Sequence, residues 1–353
     1  MQRERILAID IGGGTQDILL YEEGKPVENC IQLILPSPTV MVHNQISELT
    51  SQKKDIFLSG YLMGGGASSK AIKKHLQEGL KVYATPQSAK TIRDNLDDVR
   101  ELGVEIVSEN PGVSEVKTGD ICYHELKTAL EAFGVEMPTR FAVAVQDHGE
   151  SPEGVGNRKF RFQHWENFLK KGGHISDLLY MDPPSYFTRM WSIKEQLENV
   201  VFMDTGSAAI RGALCDKKVF EWSKEGVTLV NVGNQHTVGI ICKGDKVLGV
   251  FEHHTRLLNK EKLQYFINKF INGSLNNEEV FNDQGHGCAI TAEYNDLKKF
   301  DKVVITGPQR HLTSEKDYYW ASPMGNMMLT GAYGLVAALL QKESGENSLT
   351  NMN

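Results

Sequence analysis

The sequence is poor in cysteine, and nothing pairs its cysteines by spacing. Cys30, Cys122, Cys215, Cys242 and Cys288 stand far apart, with no C-x-x-C and no C-x-x-x-C-x-x-C. A disulfide framework, a structural zinc knot and a cysteine-ligated iron–sulfur cluster are therefore not expected. Thiols scattered singly fit a reducing compartment and a buried, apolar role; only Cys288 has a Gly-His-Gly neighbourhood. No apolar run approaches the roughly 20 residues that cross a bilayer. The charged start Met1–Arg5 leads straight into an apolar run, unlike a secretory leader. Cationic excess is lacking as well: the formal net charge is -7, which argues against nucleic acid and anionic membranes as partners. A cytoplasmic protein with neither partner is the expectation. A Walker Gly-Lys-Ser/Thr signature is absent after the first glycine turn.

What is present is enough for a sizeable core. The 353 residues, 40% hydrophobic, allow two domains. The most informative stretch is Ile6-Leu7-Ala8-Ile9-Asp10-Ile11-Gly12-Gly13-Gly14-Thr15-Gln16-Asp17-Ile18-Leu19-Leu20. Two apolar runs around a polar glycine turn predict a hairpin: strand 6–11, turn 12–16, strand 17–21. Gly12, Gly13 and Gly14 clear side chains from the tip, so backbone amides can approach an anion, and Thr15 adds a hydroxyl. Asp10, at the strand end, is placed to hold a hydrated Mg²⁺ beside that phosphate. A bare structural hairpin needs fewer glycines.

Further along, Val27–Leu35 predicts a strand stopped by Pro36-Ser37-Pro38, then a weak helix over 44–52. The order strand, helix, strand, helix, strand over Asp55–Val107 predicts a small α/β unit, with one helix running from Pro86 through Arg100. Its Gly64-Gly65-Gly66 loop is either an anion-binding helix start, with Lys70 adding charge, or a packing corner. Asp94, Asp97 and Asp98 fit a solvated face. Phe141–Val145 is a strand ending in Gln146, Asp147 and His148, where sites of α/β proteins lie. Ser151–Arg161 is expected to be a surface loop, and 164–171 a helix. Val200–Met203 ends in Asp204-Thr205-Gly206 before a helix of small residues, suited to a close helix pair or hinge. A second hairpin spans Val227–Lys243 around Gly233-Asn234-Gln235-His236, with Thr237 beginning its return strand. Val303–Thr306 leads into Gly307-Pro308, and Met324–Leu340 predicts a helix of small and apolar residues.

These landmarks resemble, in order, the motifs of the superfamily of acetate and sugar kinases, heat-shock chaperones and actin. The first phosphate hairpin is similar to Asp10–Asp17, the first connecting helix to Asp204–Leu214, and the second phosphate hairpin to Val230–Gly239. The adenosine turn is similar to Val303–Pro308, and the second connecting helix to Gly325–Ala338. The resemblance implies an α/β, two-lobed actin-like ATPase (ribonuclease H-like) fold with an α/β insertion. Residues 1–215 would form the first lobe, with the insertion around 54–140. Residues 216–323 would form the second lobe, 324–342 a helix returning to the interface, and 343–353 a disordered tail.

It also implies ATP and Mg²⁺ as ligands, and hydrolysis or phosphoryl transfer driven by lobe closure. The acceptor is an unspecified small molecule or protein. Asp10, Asp17, Asp204 and His236 are the candidate catalytic residues. Gly12, Gly13, Gly14, Thr15, Gly233, Asn234, Gln235, Thr237, Gly307 and Pro308 are the candidate nucleotide contacts. Asn231 stands where the superfamily usually has Asp, and His236 where glycine or serine is common, so a nucleotide-binding regulator without turnover is the alternative. The set IDIGGGTQDIL, AVQDHG, NVGNQHT, EHHT and GHG resembles more closely a prokaryotic family, some of whose members carry a pyruvate formate-lyase activating enzyme-like label. The missing cysteine motif argues against that chemistry. His148, His236, His253, His254 and His286 sit at strand ends or glycine turns. With Asp147 and Glu252 they make candidate transition-metal ligands or a general base, if lobe closure brings them together.

Overall fold

Alternation along β1 (Arg5–Ile11) decides which way Asp10 faces. Ile6 and Ala8 enter one buried cluster, while Leu7, Ile9 and Ile11 enter another. Side chains of a strand point to opposite faces in turn, so Asp10 shares the face of Ile6 and Ala8. The computed structural model describes residues 4–344.

The strands are β1, β2 (Thr15–Glu22), β3 (Ile31–Pro36), β4 (Ile56–Gly60), β5 (Val82–Ala84), β6 (Val104–Ile106), β7 (Ser114–Thr118) and β8 (Phe141–Val145). They continue with β9 (Val200–Met203), β10 (Val227–Val232), β11 (His236–Lys243), β12 (Lys246–His254), β13 (Gly287–Ile290), β14 (Val303–Thr306) and β15 (Tyr319–Trp320). One sheet has the order β3-β2-β1-β8-β9, another β13-β12-β11-β10-β14-β15, and a third β6-β5-β4-β7.

The first two sheets repeat one plan. In each, an antiparallel meander (β1-β2-β3, β10-β11-β12) is extended by parallel strands on the far side of its first member. The two turns match residue for residue. Gly12 N donates to Thr15 O at 2.9 Å and Gly233 N to His236 O at 3.0 Å. Ile11 pairs with Gln16 as Val232 pairs with Thr237, which makes Asn231 the counterpart of Asp10. A doubled sheet of this order is the two-lobed actin-like ATPase fold. The third sheet is the α/β insertion, carried between β3 and β8.

The two main sheets share a core. Val227 and Leu229 of β10 lie in the same cluster as Ile6 and Ala8, so Asn231 faces the same interior as Asp10. Helices Thr205–Ala213 and Thr330–Ser344 run through this cluster, crossing at glycines. A Cβ on Gly334 would lie 2.7 Å from Gly212 N, and one on Gly212 would lie 2.6 Å from Thr330 C. Small residues are the condition for that approach.

Several sequence expectations shift. The first turn is shorter, because Thr15 and Gln16 already belong to β2. The strand expected over 27–35 is a 3₁₀ turn at Val27–Asn29 followed by β3. The weak helix is strong and begins at Pro38, since proline suits a first helical position. The helix expected over 86–100 breaks into Pro86–Ala89 and Leu96–Glu101, the second capped by Asn95, whose Oδ1 accepts from Asp97 N at 2.8 Å. The supposed surface loop ends early: helix Asn157–Lys170 contains Arg161, which is buried. The returning helix begins at Thr330 after two 3₁₀ turns and keeps Glu343 and Ser344. The rest of the expected tail lies outside the described residues. Among the described residues no helix is long and apolar enough to cross a membrane.

Candidate active site between the two sheets

The two matching turns meet. A Cβ on Gly13 would lie 2.7 Å from Gln235 Cγ, and one on Gly14 3.2 Å from Asn234 Nδ2. A side chain at the first tip would thus have to displace Gln235 or Asn234 of the second. Beneath and beside them opens a cavity of about 380 Å³. Gly12, Gly13, Thr15, Gly233, Asn234, Gln235, Gly307 and Pro308 line it, with Asp10, Asp17 and Asn231. The insertion contributes Gly64, Gly65 and Gly66, and Lys90 and Arg93 bring positive charge. The Gly64 amide is already taken, donating to Asp120 Oδ1 at 3.3 Å, so this loop is both wall and packing corner. Lys70 is exposed and does not line the cavity. Asp94 lines it and is half-buried; Asp97 and Asp98 face solvent.

Asp10 and Asp17 are register partners across β1 and β2. One oxygen of each, Oδ1, is buried without a hydrogen bond. Burial pushes Asp10 well above the usual carboxyl range, and the neighbouring Asp17 adds to the rise. Burial likewise raises Asp17 to about 7. Two desolvated acids with unpartnered oxygens have the donor chemistry of a hard divalent cation site. Gly331 presses on this pair: a Cβ there would lie 2.6 Å from Asp10 Cγ.

Other predicted residues are placed elsewhere. Gly14 forms the outer tip, its carbonyl accepting from Ser37 N at 3.1 Å, and it does not line the cavity. Thr237 turns to the opposite face of β11, its hydroxyl 3.0 Å from that of Thr255. Asp204 caps the Thr205–Ala213 helix through Gly206 N at 2.9 Å and is ion-paired to Arg161 at 2.8 Å. Burial raises its pKa against the opposing pull of Arg161, and it does not line the cavity.

The histidines separate by strand alternation. His236 pairs with His254 across β11 and β12, so their rings share one face, and Glu252 lies on it too. His253 takes the other face, where Nε2 meets Asp283 Oδ2 at 3.0 Å. It therefore does not join the others. His148, just past β8, and His286, just before β13, complete the group. Ring centroids are 5.3 Å apart for His148–His236, 5.4 Å for His148–His286 and 5.0 Å for His236–His286. His254 lies alongside with its ring tilted to both, 4.8 Å from His236 and 4.6 Å from His286. Burial lowers His148 to about 3 and His286 to about 4, and takes His236 well below the usual imidazole range. Asp147 is not a free ligand: its oxygens accept from Gly149 N at 2.9 Å and Met190 N at 3.0 Å.

Behind the rings lies Glu252, fully buried. It accepts from Arg161 Nε at 3.1 Å, Trp165 Nε1 at 3.0 Å and Gln146 Nε2 at 3.2 Å. Burial opposes its ionisation, but Arg161 and the facing histidines override that and hold it below the usual carboxyl range. Arg161 thus joins Asp204, after the first sheet's β9, to Glu252 on the second sheet's β12.

A protein-family model described as "Putative pyruvate format-lyase activating enzyme (DUF1786)" matches residues 63–312. The chain belongs to the DUF1786 family. No curated protein sequence matches it significantly. Among solved structures it is similar to the ethanolamine utilization protein EutJ from Carboxydothermus hydrogenoformans, 11% identical, covering 94% of this chain and 88% of that one, TM-score 0.36. It is also similar to MreB5 of Spiroplasma citri bound to ADP, 9% identical, covering 97% and 99%, TM-score 0.34. A third is the Aquifex aeolicus member of the Ppx/GppA family, 14% identical, covering 86% and 66%, TM-score 0.29.

Two basic residues of this DUF1786 chain escaped the sequence reading. Arg189 lines the cavity, bound to both oxygens of Asp120 at 2.6 and 2.8 Å. Arg161 had a legible signal: Trp165 and Phe168 follow it at helical spacing, so the stripe extends back into the supposed loop.

Proposed function

We propose that the cavity binds ATP with Mg²⁺ and that the protein is an ATPase or phosphotransferase of the actin-like class. One observation carries this reading: two register-matched glycine turns, one from each sheet, border the same cavity as two buried carboxylates with unpartnered oxygens. The backbone amides of Gly13 and Thr15 in the first turn and of Asn234 and Gln235 in the second would hold phosphate oxygens, since those of Gly12 and Gly233 are spent within their own turns. Asp10, with Asp17, would hold the cation, which neutralises phosphate charge when bound. Gly307, at φ 98°, lets the backbone turn close to an adenosine. Lys90 and Arg93 would draw the polyphosphate inward.

Asn231 favours a second reading, a nucleotide-binding regulator that does not turn ATP over. It sits where Asp10 sits in the first sheet but brings no charge to the cation. The radical chemistry implied by the family's description does not fit these residues. Cys215 bonds within its own helix turn, Cys288 donates to Leu275 O, and Cys30 and Cys242 are buried in the shared core. Among the described residues no group of thiols converges.

Calorimetry with ATP and ADP in Mg²⁺, followed by phosphate-release and product assays, tests both readings. Asp10→Ala is expected to abolish Mg·ATP-dependent turnover in a protein that still melts cooperatively. Turnover at the wild-type level in that variant would remove Asp10 from the site; ATP bound but recovered intact would select the regulator.

A further inference from the structure

We infer that His148, His236 and His286 bind one first-row transition-metal ion, and that this ion ties the two main sheets together beside the phosphate turns. The ligand nitrogens of the three side chains all lie within 4.8 Å of one another. Both ring nitrogens of His236 and both of His286 are buried and make no hydrogen bond, and His286 is only 1% exposed. Buried polar atoms are nearly always partnered. A neutral imidazole has one donor and one acceptor to satisfy. Two such rings, with the His148 ring set against both, bring three imidazole nitrogens within reach of one point. A metal ion takes the lone pair of such a nitrogen.

The chemistry of the set is specific. All three donors are imidazoles, the nearby carboxylate of Asp147 is held by backbone amides, and among the described residues no thiol joins the group, the Cys288 thiol being turned to Leu275 O. Imidazole suits Zn²⁺, Fe²⁺, Co²⁺, Ni²⁺ or Cu²⁺ and not Mg²⁺, which needs oxygen. The site is therefore separate in ligand class from the one at Asp10 and Asp17. A tetrahedral centre with bonds of about 2.0 Å needs ligand atoms about 3.3 Å apart, and His236 and His286, whose rings hold no hydrogen bond, can rotate inward to reach that. An anchored carboxylate stands within electrostatic reach of the rings, although it hydrogen-bonds neither His236 nor His286. Glu252 faces His236 and His286 electrostatically, and is itself fixed by Arg161 and Trp165. An anchored carboxylate behind metal-bound histidines is a common stabilising arrangement.

Position gives the site its meaning. His148 follows β8 of the first sheet, whereas His236 opens β11 and His286 precedes β13 of the second. An ion here closes a link between the lobes. His236 also ends the second glycine turn, whose Gly233 amide donates to His236 O. His148 and His236 line the cavity, so an open coordination position would face it. Three histidines with one open position is the ligand count of a catalytic rather than a structural centre. The inference does not require nucleotide binding.

The test is to strip the full-length protein with chelator and titrate it with Co²⁺ in the absence of nucleotide and Mg²⁺. Visible d–d absorption should saturate at one ion per chain and be displaced by Zn²⁺. The thermal midpoint should rise with Co²⁺. His148→Gln, His236→Gln and His286→Gln, each checked for cooperative melting, should each weaken Co²⁺ binding by roughly tenfold or more and cancel the rise in midpoint. Absence of stoichiometric Co²⁺ or Zn²⁺ binding by the wild type would overturn the site, as would an unchanged cobalt spectrum in the three variants. A separate Mg·ATP titration of stripped protein tells failure of this site from failure of the nucleotide reading.

Discussion

Gly331 and Gly334 lie one helical turn apart, and neither leaves room for a methyl group, but the obstacles differ in kind. Helix propensity alone favours Ala over Gly by about 0.8–1.0 kcal/mol, so both Gly→Ala changes ought to stabilise. At Gly334 the new Cβ would lie 2.7 Å from Gly212 N and 2.9 Å from Ala208 C. The Ala208 carbonyl oxygen is nearer still, and comfortable contact is about 3.5–4.0 Å, so the two helices must part by about 1.5 Å or more. Overpacking of this kind costs about 1–3 kcal/mol. With rigid backbone as the obstacle, the upper end applies, and Gly334→Ala should lose about 2 kcal/mol net. At Gly331 the obstacle is the Asp10 side chain, with Cγ at 2.6 Å and Cβ at 3.1 Å. A carboxylate can swing, so the fold tolerates the change while the cation site moves by about 1 Å. A displacement of that size can cost about 100-fold in function. Gly331→Ala should therefore keep a urea midpoint close to wild type and lose at least about tenfold in Mg·ATP affinity. Urea unfolding followed by circular dichroism, with calorimetry, reads both. A Gly334→Ala midpoint at or above wild type would refute the helix-crossing account. Wild-type Mg·ATP affinity in Gly331→Ala would refute the account of Asp10.

Arg161→Met should cost about 3–5 kcal/mol, because it strands Glu252 and Asp204 as buried, uncompensated acids; an unchanged urea midpoint would show that other groups carry the link. Acid should weaken the histidines' share of the metal-free protein's stability. Burial depresses His148 to about 3 and His286 to about 4, so their contribution is complete above the unfolded value near 6.5. It fades as pH falls, at about 1.4 kcal/mol per pH unit for each group. Because raised carboxyls oppose this trend over the same range, the readout is the difference: from pH 7 to pH 5 the urea midpoint of wild type should fall relative to that of His286→Gln, and parallel profiles would contradict the burial of a neutral ring. Asp17 runs the other way: its pKa is raised to about 7, so its contribution is greatest below about 4 and is lost as pH rises through 7. Mg²⁺ binding there relieves the penalty, and the Mg²⁺-induced rise in thermal midpoint should be larger at pH 8 than at pH 5.

Much of the fold was legible because its signals are local. Alternating apolar runs around Gly12–Gly14 and around Gly233 mark hairpins by themselves, and small residues after Asp204 mark a close helix contact. The order of these pieces is what the actin-like resemblance rests on. Errors came where local signals were ambiguous. Pro38 can end a strand or begin a helix, and polar residues 151–160 hid a helix whose apolar stripe starts only near Arg161. The histidines show the same division. Period-two alternation along β12 was enough to set His253 apart from His254, once both were placed within a strand instead of after it.

By itself the chain determined its turns, its strand alternation and the amide-lined tips, since each depends on residues within a few positions of one another. Tertiary structure alone decided that Asp10 and Asn231 face one interior. It alone decided that Arg161 spans Asp204 and Glu252, and that His148, His236 and His286 converge from segments far apart in sequence. The reason is physical: these meetings are set by how two twisted sheets close over one shared core, and no periodicity within a segment encodes the distance to another.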